Sequence, residues 1–312
     1  MNFLSIRYFL MTAEERSITR AAEKLHITQQ TLSAHIAAME REAGAKLFVR
    51  SVPLKLTGSG EVFYRYAAMF VRTERDFRRD LSDASGHHTG TLRIGISPCR
   101  GRVNMPGMIN AFQERCPLVN IHLFEMSNRN IWNALRHDEI DVAMGYLPGE
   151  IPGIAHVPWM EEDILLLIEK NLAGEVFGES LGDYFYGNTA NCSGIPPELS
   201  KCPFLLNSEE DVIGALARKM FRDVGMLPRI SVESENMEVL LRLCLLGKGA
   251  LFIPRNMAEK LLNREEKKKL LFLSFDEENY MMSFGYRKSE KPWAVINEWI
   301  ETCRSVSGEG KE

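Results

Sequence analysis

Long apolar segments are missing from the sequence. No uninterrupted apolar run approaches the ~20 residues that a membrane helix needs, and the first residues lack the regions of an export signal. Hydrophobic residues make up 45% and charged residues 26% of the 312, which is ordinary for a globular protein. We therefore expect a soluble, cytoplasmic protein of two or three compact units that does not bind membranes.

Catalytic and metal-binding motifs are also missing. The chain has no GxSxG elbow, no GxGxxG after a strand, no Walker loop and no HExxH. Its six cysteines show neither CxxC pairing nor clustering with histidine, and we interpret Cys192 and Cys202 as free thiols rather than a redox switch. These absences predict a protein that is not an enzyme and that uses no cofactor and no metal.

The charge is divided unevenly along the chain. Residues 1–88 contain 13 Lys and Arg against 10 Asp and Glu, a net of +3, whereas the remainder has 25 against 32, a net of −7. A basic front end on an acidic body is a weak indication of a polyanionic partner, because phosphate contacts supply most of the non-specific affinity for nucleic acid.

Residues 17–42 contain two short amphipathic segments joined by a tight connection. Ser17 is a predicted N-cap of the first segment, and Thr28 is a predicted N-cap of the second. Two helices linked so closely are typical of a helix-turn-helix, in which the second helix lies in the DNA major groove. The apolar faces that would hold the two helices together are formed by Ala21, Ala22 and Leu25, and by Leu32, Ile36 and Met39.

The other face of the second segment is polar. Glutamine side chains can bond adenine in a bidentate pair, and serine can donate or accept at several bases. The cations Arg50 and Lys55 follow in a predicted wing, where they can contact phosphates. The alternative is an ordinary solvated surface. The predicted DNA-binding residues are Thr28, Gln29, Gln30, Thr31, Ser33, His35, Arg50 and Lys55.

A long helix without proline is predicted from the cap Thr57 to about residue 84, a length of ~40 Å. Aromatic residues recur in it every seven positions, as a seam between paired helices requires. We expect this helix to form a dimer, the alternative being that the stripe packs on its own domain. The predicted dimerisation residues are Phe63, Tyr66, Phe70, Thr73 and Phe77.

Residues 1–66 resemble the winged helix-turn-helix of the LysR-type transcriptional regulator family. One departure is Gln30, where the family often has proline or another small residue, so the bases that are read become less predictable. The resemblance implies a DNA-binding domain at 1–57 and a linker and dimerisation helix at 58–88. It is carried by Phe9, Ser17, Ala21, Ala22, Leu25, Thr28, Gln29, Ser33, Ile36, Glu40, Gly44, Leu47, Phe48, Arg50, Leu56, Thr57 and Gly60.

Strands and helices alternate after residue 90, which indicates βαβ units around a largely parallel sheet. The segments TLRIG, PGMINAFQERCP, LRHDEIDVAMG and LLGKGALFIP resemble the effector-binding region of the same family, which is similar to periplasmic solute-binding proteins. This implies an α/β effector domain at 91–304 with two lobes, lobe I at 91–161 and 269–304, and lobe II at 162–268. A ligand cleft is expected between them.

Ligands of such sheets sit at the carboxyl ends of strands, where helix N-termini offer amide donors. The two arginines favour an anionic effector, because arginine suits planar bidentate pairing. The alternative at each position is an ordinary helix cap or an exposed cation. The predicted effector-binding residues are Ser97, Arg100, Arg102, Ser127, Asn128 and Asn207.

The sequence therefore predicts a transcriptional regulator that binds an inverted-repeat operator as a homodimer or homotetramer and responds to a small molecule. RNA polymerase is a candidate further partner. The alternative is a cytosolic solute-binding or enzymatic α/β protein whose N-terminal module serves only for oligomerisation.

Overall fold

The computed structural model describes residues 2–86, 88–147, 149–289 and 292–308. The chain divides into two compact units, residues 1–87 and residues 88–312. Among the described residues, no helix is long and apolar enough to cross a membrane.

The described residues of the N-terminal unit form four helices and one small hairpin: α1 (Phe3–Glu15), α2 (Ile18–Lys24), α3 (Gln29–Ala43), β1 (Phe48–Val49), β2 (Lys55–Leu56) and α4 (Gly58–Ala84). Each helix begins where a side chain accepts a hydrogen bond from a free backbone N–H. The predicted caps Ser17, Thr28 and Thr57 are confirmed, as is the end of the long helix near residue 84.

The apolar faces of the helices meet in one core. Leu32, Ile36 and Met39 of α3 are buried, as their spacing predicts. Phe9 of α1 lies at the centre, with its ring 5.1 Å from that of Phe48. The core also fixes the start of α4, because a Cβ at Gly60 would lie 2.0 Å from the carbonyl oxygen of Leu47.

A buried carboxylate joins α3 to the hairpin. Glu40 is 8% exposed, and its Oε1 accepts hydrogen bonds from the backbone N–H groups of Leu47 (2.9 Å) and Phe48 (3.3 Å). Its Oε2 accepts a bond from Lys46 Nζ at 2.7 Å. Burial alone would raise the pKa of Glu40, but these hydrogen bonds together hold the pKa below its ordinary value.

Replacing Glu40 by Ala is expected to lower the free energy of unfolding of the N-terminal unit by about 1–3 kcal/mol, because two buried N–H groups lose their acceptor. Since the folded pKa is depressed, the wild-type contribution is present above about pH 4.5 and is lost as the pH falls further. All four tryptophans lie in the C-terminal unit. When unfolding in urea is followed by circular dichroism, the transition of the N-terminal unit should therefore move to a lower urea concentration. The transition followed by tryptophan fluorescence should stay in place.

The matched control is Glu23→Ala, which removes an exposed carboxylate from α2 and should leave the transition in place. A Glu40→Ala protein as stable as the wild type at pH 7 would contradict this role of the carboxylate.

The C-terminal unit alternates strands and helices, as predicted. In chain order these are β3 (Gly90–Ile96), α5 (Pro98–Arg115), β4 (Val119–Glu125), α6 (Asn128–Arg136), β5 (Val142–Tyr146), β6 (Ile154–Glu169), α7 (Lys170–Phe177), α8 (Leu181–Tyr184), β7 (Thr189–Cys192), β8 (Pro203–Leu206), α9 (Val212–Asp223), β9 (Arg229–Glu233), α10 (Met237–Leu245), β10 (Ala250–Pro254), α11 (Arg255–Leu261), α12 (Arg264–Lys268), β11 (Leu270–Arg287) and α13 (Ala294–Ser307).

These strands form one continuous sheet in the order β4-β3-β5-β11-β6-β10-β8-β9, with β7 beside β11. Lobe I is built on β3, β4 and β5, which are parallel, and lobe II on β8, β9 and β10, which are also parallel. The long antiparallel strands β6 and β11 run through both lobes. They are therefore the two backbone connections that join lobe I to lobe II.

The long strands cross the expected lobe bounds. The strand β6 begins at Ile154, within the expected lobe I, includes Pro158 and ends at Glu169 in lobe II. The proline lacks an N–H donor and is accommodated where the β6–β11 register shifts, next to Ser283. Because residues 270–275 of β11 pair with β6 and β7 beside the lobe II strands, we assign them to lobe II rather than to lobe I as expected.

Candidate nucleic-acid interface and ligand cavity

The polar face of α3 is free to meet a partner. Gln29, Gln30 and Thr31 are exposed and Ser33 is half-buried, opposite the buried stripe of the same helix. Thr28 is also exposed, but its hydroxyl is used locally. It accepts from the backbone N–H of Thr31 at 3.1 Å and lies 2.8 Å from the Thr31 hydroxyl. Thr28 therefore orients the start of the helix.

His35 lies against another helix of the same unit. Its Nδ1 lies 3.3 Å from Ser5 Oγ, and its ring meets the ring of Tyr8 edge-on at 4.9 Å. Both partners belong to α1, so the imidazole packs against that helix. We therefore regard His35 as a residue that positions α3, and its expected contact with bases stays a prediction.

An alanine on the exposed face of α3 was missed by sequence reasoning. Ala34 is exposed, and it lies one helical turn after Gln30. Its small side chain lets the helix approach a surface closely, and a methyl group is also the usual apolar contact of a thymine methyl. The signal was available, because position 34 falls on the polar side when Leu32 and Ile36 are buried.

The wing offers two cations without partners in the described part of the chain. Arg50 and Lys55 flank the tip of the β1–β2 hairpin, and both are exposed. Neither forms an ion pair among the described residues, unlike the neighbouring Lys46, which is held by Glu40. These two charges therefore remain available for an anionic partner.

The predicted dimerisation residues of α4 are partly exposed and partly in the core of the unit. Tyr66, Phe70 and Phe77 are 55%, 44% and 59% exposed, and Thr73 donates its hydroxyl hydrogen to the carbonyl of Met69. Phe63 differs, because its ring meets that of Phe9 edge-on at 4.7 Å inside the core of the unit. The exposed aromatic side chains of this stripe therefore lie beyond the first two turns of the helix.

A cavity of about 670 Å³ lies within the C-terminal unit, between lobe I and lobe II. It brings together all six predicted effector-binding residues from three separate strand-helix junctions. Lobe I contributes Ser97, Pro98, Cys99, Arg100, Arg102, Glu125, Met126, Ser127 and Asn128. Lobe II contributes Asn207, Ser208, Glu210, Asp211, Ile213, Glu235, Asn236, Met237, Glu238, Pro254 and Met257.

The two predicted serines are the N-cap residues of α5 and α6, yet neither side chain makes a capping hydrogen bond. Asn128 is anchored, since its Nδ2 donates to the carbonyl of Tyr146 at 2.7 Å. Asn207 is 3% exposed, and its Oδ1 has no hydrogen-bond partner among the described residues. The cavity therefore contains unused hydrogen-bonding groups on both lobes.

Arg100 is not a free cation. It is 7% exposed, and its Nη1 donates to Glu162 Oε1 at 2.5 Å while its Nη2 donates to the Tyr280 hydroxyl at 2.6 Å. Tyr280 in turn donates to Glu162 Oε2, and Asn256 Nδ2 donates to Oε1 at 2.6 Å. Burial by itself would raise the pKa of Glu162, but the Arg100 guanidinium holds the pKa below its ordinary value.

This cluster sits where β6 and β11 pass from one lobe to the other, since Glu162 pairs with Tyr280 in the sheet. The placement corrects the expectation that Arg100 presents its charge to an effector. Arg102 is exposed, but it too is paired, with Glu238 of lobe II. The expected preference for an anion therefore loses its basis in these two residues.

The cysteines form no disulfide, and all six are free. Cys99 is the one in the cavity wall, with its Sγ 3.6 Å from Met257 Sδ. Burial raises the pKa of Cys99 to about 11, so the thiol stays protonated at neutral pH.

Comparison with known proteins agrees with this architecture. The family profile described as the bacterial regulatory helix-turn-helix protein, lysR family, matches residues 3–61, and the LysR substrate binding domain matches residues 85–308. A helix-turn-helix unit followed by a two-lobed substrate-binding unit defines the class of the protein. The chain belongs to the LysR family.

Individual relatives share a quarter to a third of their residues with this chain over the matched regions. A probable RuBisCO transcriptional regulator of Cyanidioschyzon merolae is 34% identical over 167 residues, 52% of this chain and 55% of that protein. The chain thus spans about half the length of that relative. The regulator ClcR of Pseudomonas putida is 26% identical over 266 residues, 83% of this chain and 84% of that protein.

A solved structure supports the fold. Full-length CbnR complexed with its target DNA has a TM-score of 0.64 at 21% identity, and the match covers 98% of this chain and 100% of that one. At this identity the likeness concerns the fold alone.

Proposed function

We propose that the protein is a transcriptional regulator that binds an inverted-repeat operator as a homodimer or homotetramer. Residues 1–57 act as the DNA-binding domain, 58–88 as the linker and dimerisation helix, and 91–304 as the effector-binding domain. A small molecule between the lobes changes their closure and so shifts the equilibrium between arrangements of the subunits. It acts in the cytoplasm without enzymatic activity, and RNA polymerase is a candidate partner.

The observation that carries this proposal is the division of α3 into two faces. Its aliphatic side is sealed in the core, while Gln29 and Gln30 are exposed at its N-terminal end, the end that reads bases in helix-turn-helix proteins. Arg50 and Lys55 supply phosphate contacts, and CbnR, which has a similar fold, was solved as a complex with its target DNA.

Dimerisation is assigned to the exposed part of α4. Tyr66, Phe70, Thr73 and Phe77 form a stripe whose aromatic members are large and solvent-facing, and such a stripe on a long helix is typical of a subunit contact. Phe63 serves the core of the unit. A twofold dimer places two copies of α3 on successive turns of a duplex, which accounts for an inverted repeat.

Replacing Gln29 by Ala is expected to weaken binding to the operator by about 1–3 kcal/mol, or roughly 5- to 150-fold, and to relax the base preference. The operator is first selected from random duplexes, and affinities are then measured by fluorescence anisotropy at several salt concentrations. The matched variant is Arg50→Ala. It should weaken binding to all sequences alike and make the salt dependence shallower, because one phosphate contact is lost.

The alternative function is a solute-binding or enzymatic α/β protein whose N-terminal unit only oligomerises. Such a protein would select no sequence from random duplexes and would be indifferent to Gln29→Ala. Equal affinity of wild type and variant for every duplex tested would therefore favour the alternative and count against operator reading.

A further inference from the structure

Charges on the cavity wall are separated by lobe. Lobe II contributes four carboxylates and, among its described residues, no lysine or arginine, whereas both arginines of the wall belong to lobe I. Glu125 is the single acid on the described lobe I side. The carboxylates of lobe II are Glu210, Asp211, Glu235 and Glu238. The cavity therefore has opposite polarity on its two walls.

Two exposed ion pairs cross the cleft with this same polarity. Arg102 of lobe I contacts Glu238 of lobe II, and Arg129 Nη1 of lobe I lies 3.1 Å from Glu210 Oε1 of lobe II. In both pairs the cation comes from lobe I and the anion from lobe II. These pairs show that the two walls have opposite charge where they face each other, and the ligand must use groups that the pairs leave free.

The lobe I wall is suited to an anion. The helices α5 and α6 both begin at this wall, and the hydroxyls of their N-cap residues Ser97 and Ser127 make no capping bond. The first backbone N–H groups of a helix and its dipole favour a carboxylate at that point. Arg102 lies at the same wall, but its guanidinium is already paired with Glu238. The two hydroxyls and the two helix N-termini can bind one carboxylate without displacing the buried Arg100 from Glu162.

The lobe II wall is suited to a cation. The helices α9 and α10 begin there, but the side chains of Asp211 and Asn236 cap their N-termini by accepting hydrogen bonds from the first backbone N–H groups. Asp211 uses Oδ1 for both of its capping bonds, and none of the described residues donates to its Oδ2. The buried Asn207 Oδ1 is a second acceptor to which no described residue donates. Two unused acceptors, one of them charged, call for a ligand with several N–H groups.

We propose that the cavity binds a free α-amino acid as a zwitterion, with its carboxylate at the starts of α5 and α6 and its ammonium at Asn207 and Asp211. This rests on the effector-binding function proposed above. Met126, Ile213 and Met257 provide apolar surface for the side chain of the amino acid. Since the two ends of the ligand contact opposite lobes, its binding stabilises their closed arrangement.

The test uses the full-length protein and the twenty proteinogenic L-amino acids as probes. Thermal unfolding is followed by tryptophan fluorescence, because all four tryptophans belong to the unit that contains the cavity. At least one amino acid should raise the melting temperature, and the rise should grow with the logarithm of its concentration once that exceeds the Kd. The best one is then compared, by calorimetry, with its deaminated carboxylic acid and its decarboxylated amine. Each analogue should bind at least about 10-fold more weakly, because charged hydrogen bonds are lost.

The key variant is Asp211→Asn, which removes the charge but keeps a good N-cap for α9. It should unfold like the wild type without ligand and bind the amino acid at least about 10-fold more weakly. Glu209→Gln, an exposed neighbour outside the cavity, is the control and should bind normally. Ser127→Ala tests the other wall and should weaken the acid analogue as well as the amino acid.

The proposal is overturned if no amino acid raises the melting temperature, if the acid or the amine binds as tightly as the parent amino acid, or if Asp211→Asn binds normally. Operator binding by the same preparation is measured in parallel. Intact operator binding together with any of these results removes the amino-acid ligand and leaves the regulator in place, whereas loss of operator binding by the wild type removes the regulator itself.

Discussion

Replacing Glu162 by Leu is expected to lower the free energy of unfolding of the C-terminal unit by about 3–5 kcal/mol, because the change leaves a buried guanidinium without its carboxylate. Arg100 is only 7% exposed, so most of its guanidinium would stay buried without a partner. Tyr280 and Asn256 lose their acceptor in the same step. Urea unfolding followed by tryptophan fluorescence measures the loss.

Two comparisons test the cause. Glu238→Leu breaks the exposed ion pair with Arg102 and should cost at most about 1 kcal/mol, since water screens such pairs. Adding Arg100→Met to Glu162→Leu should recover much of the stability, because it removes the uncompensated charge. A Glu162→Leu protein within about 1 kcal/mol of the wild type, or a double variant worse than the single one, would refute the importance of this pair.

The local parts of the N-terminal unit were predictable from sequence. The start of α3 depends on Thr28 and on residues within four positions of it, and its buried face follows from the helical period of Leu32, Ile36 and Met39. A cap and a period are properties of a short stretch of chain. The packing of His35 was not predicted, because its partners, Ser5 and Tyr8, lie about thirty positions earlier and on another helix.

The cavity was predictable only in outline. Strand ends followed by helices indicated the positions of Ser97, Ser127 and Asn207, since each junction is visible in the sequence. The partners of the arginines were not visible. Arg100 meets Glu162 and Tyr280 only because β6 and β11 pair across the lobes, and this pairing joins residues more than a hundred positions apart. The polarity of the two walls, on which the proposed class of ligand depends, could not be predicted because residues from distant parts of the chain form each wall.

Replacing Ala34 by Glu is expected to weaken operator binding by about 3 kcal/mol, on the order of 100-fold, while leaving the unfolding transition unchanged. The side chain is exposed, and glutamate is a good helix former, so the folded unit loses nothing. In the operator complex proposed above, position 34 faces the duplex beside Gln30. A carboxylate there is brought close to the phosphates, which costs like-charge repulsion as well as space.

Ala34→Gln separates these two causes, because glutamine has the length of glutamate without its charge. It should bind the operator more weakly than the wild type but more tightly than Ala34→Glu. Only for the glutamate variant should the loss of affinity relative to the wild type grow as the salt concentration falls. If both variants bind like the wild type, the face of α3 that carries Ala34 does not enter the groove. The helix would then have to approach DNA by another side, although its opposite side is closed by the burial of Leu32 and Ile36 in the core.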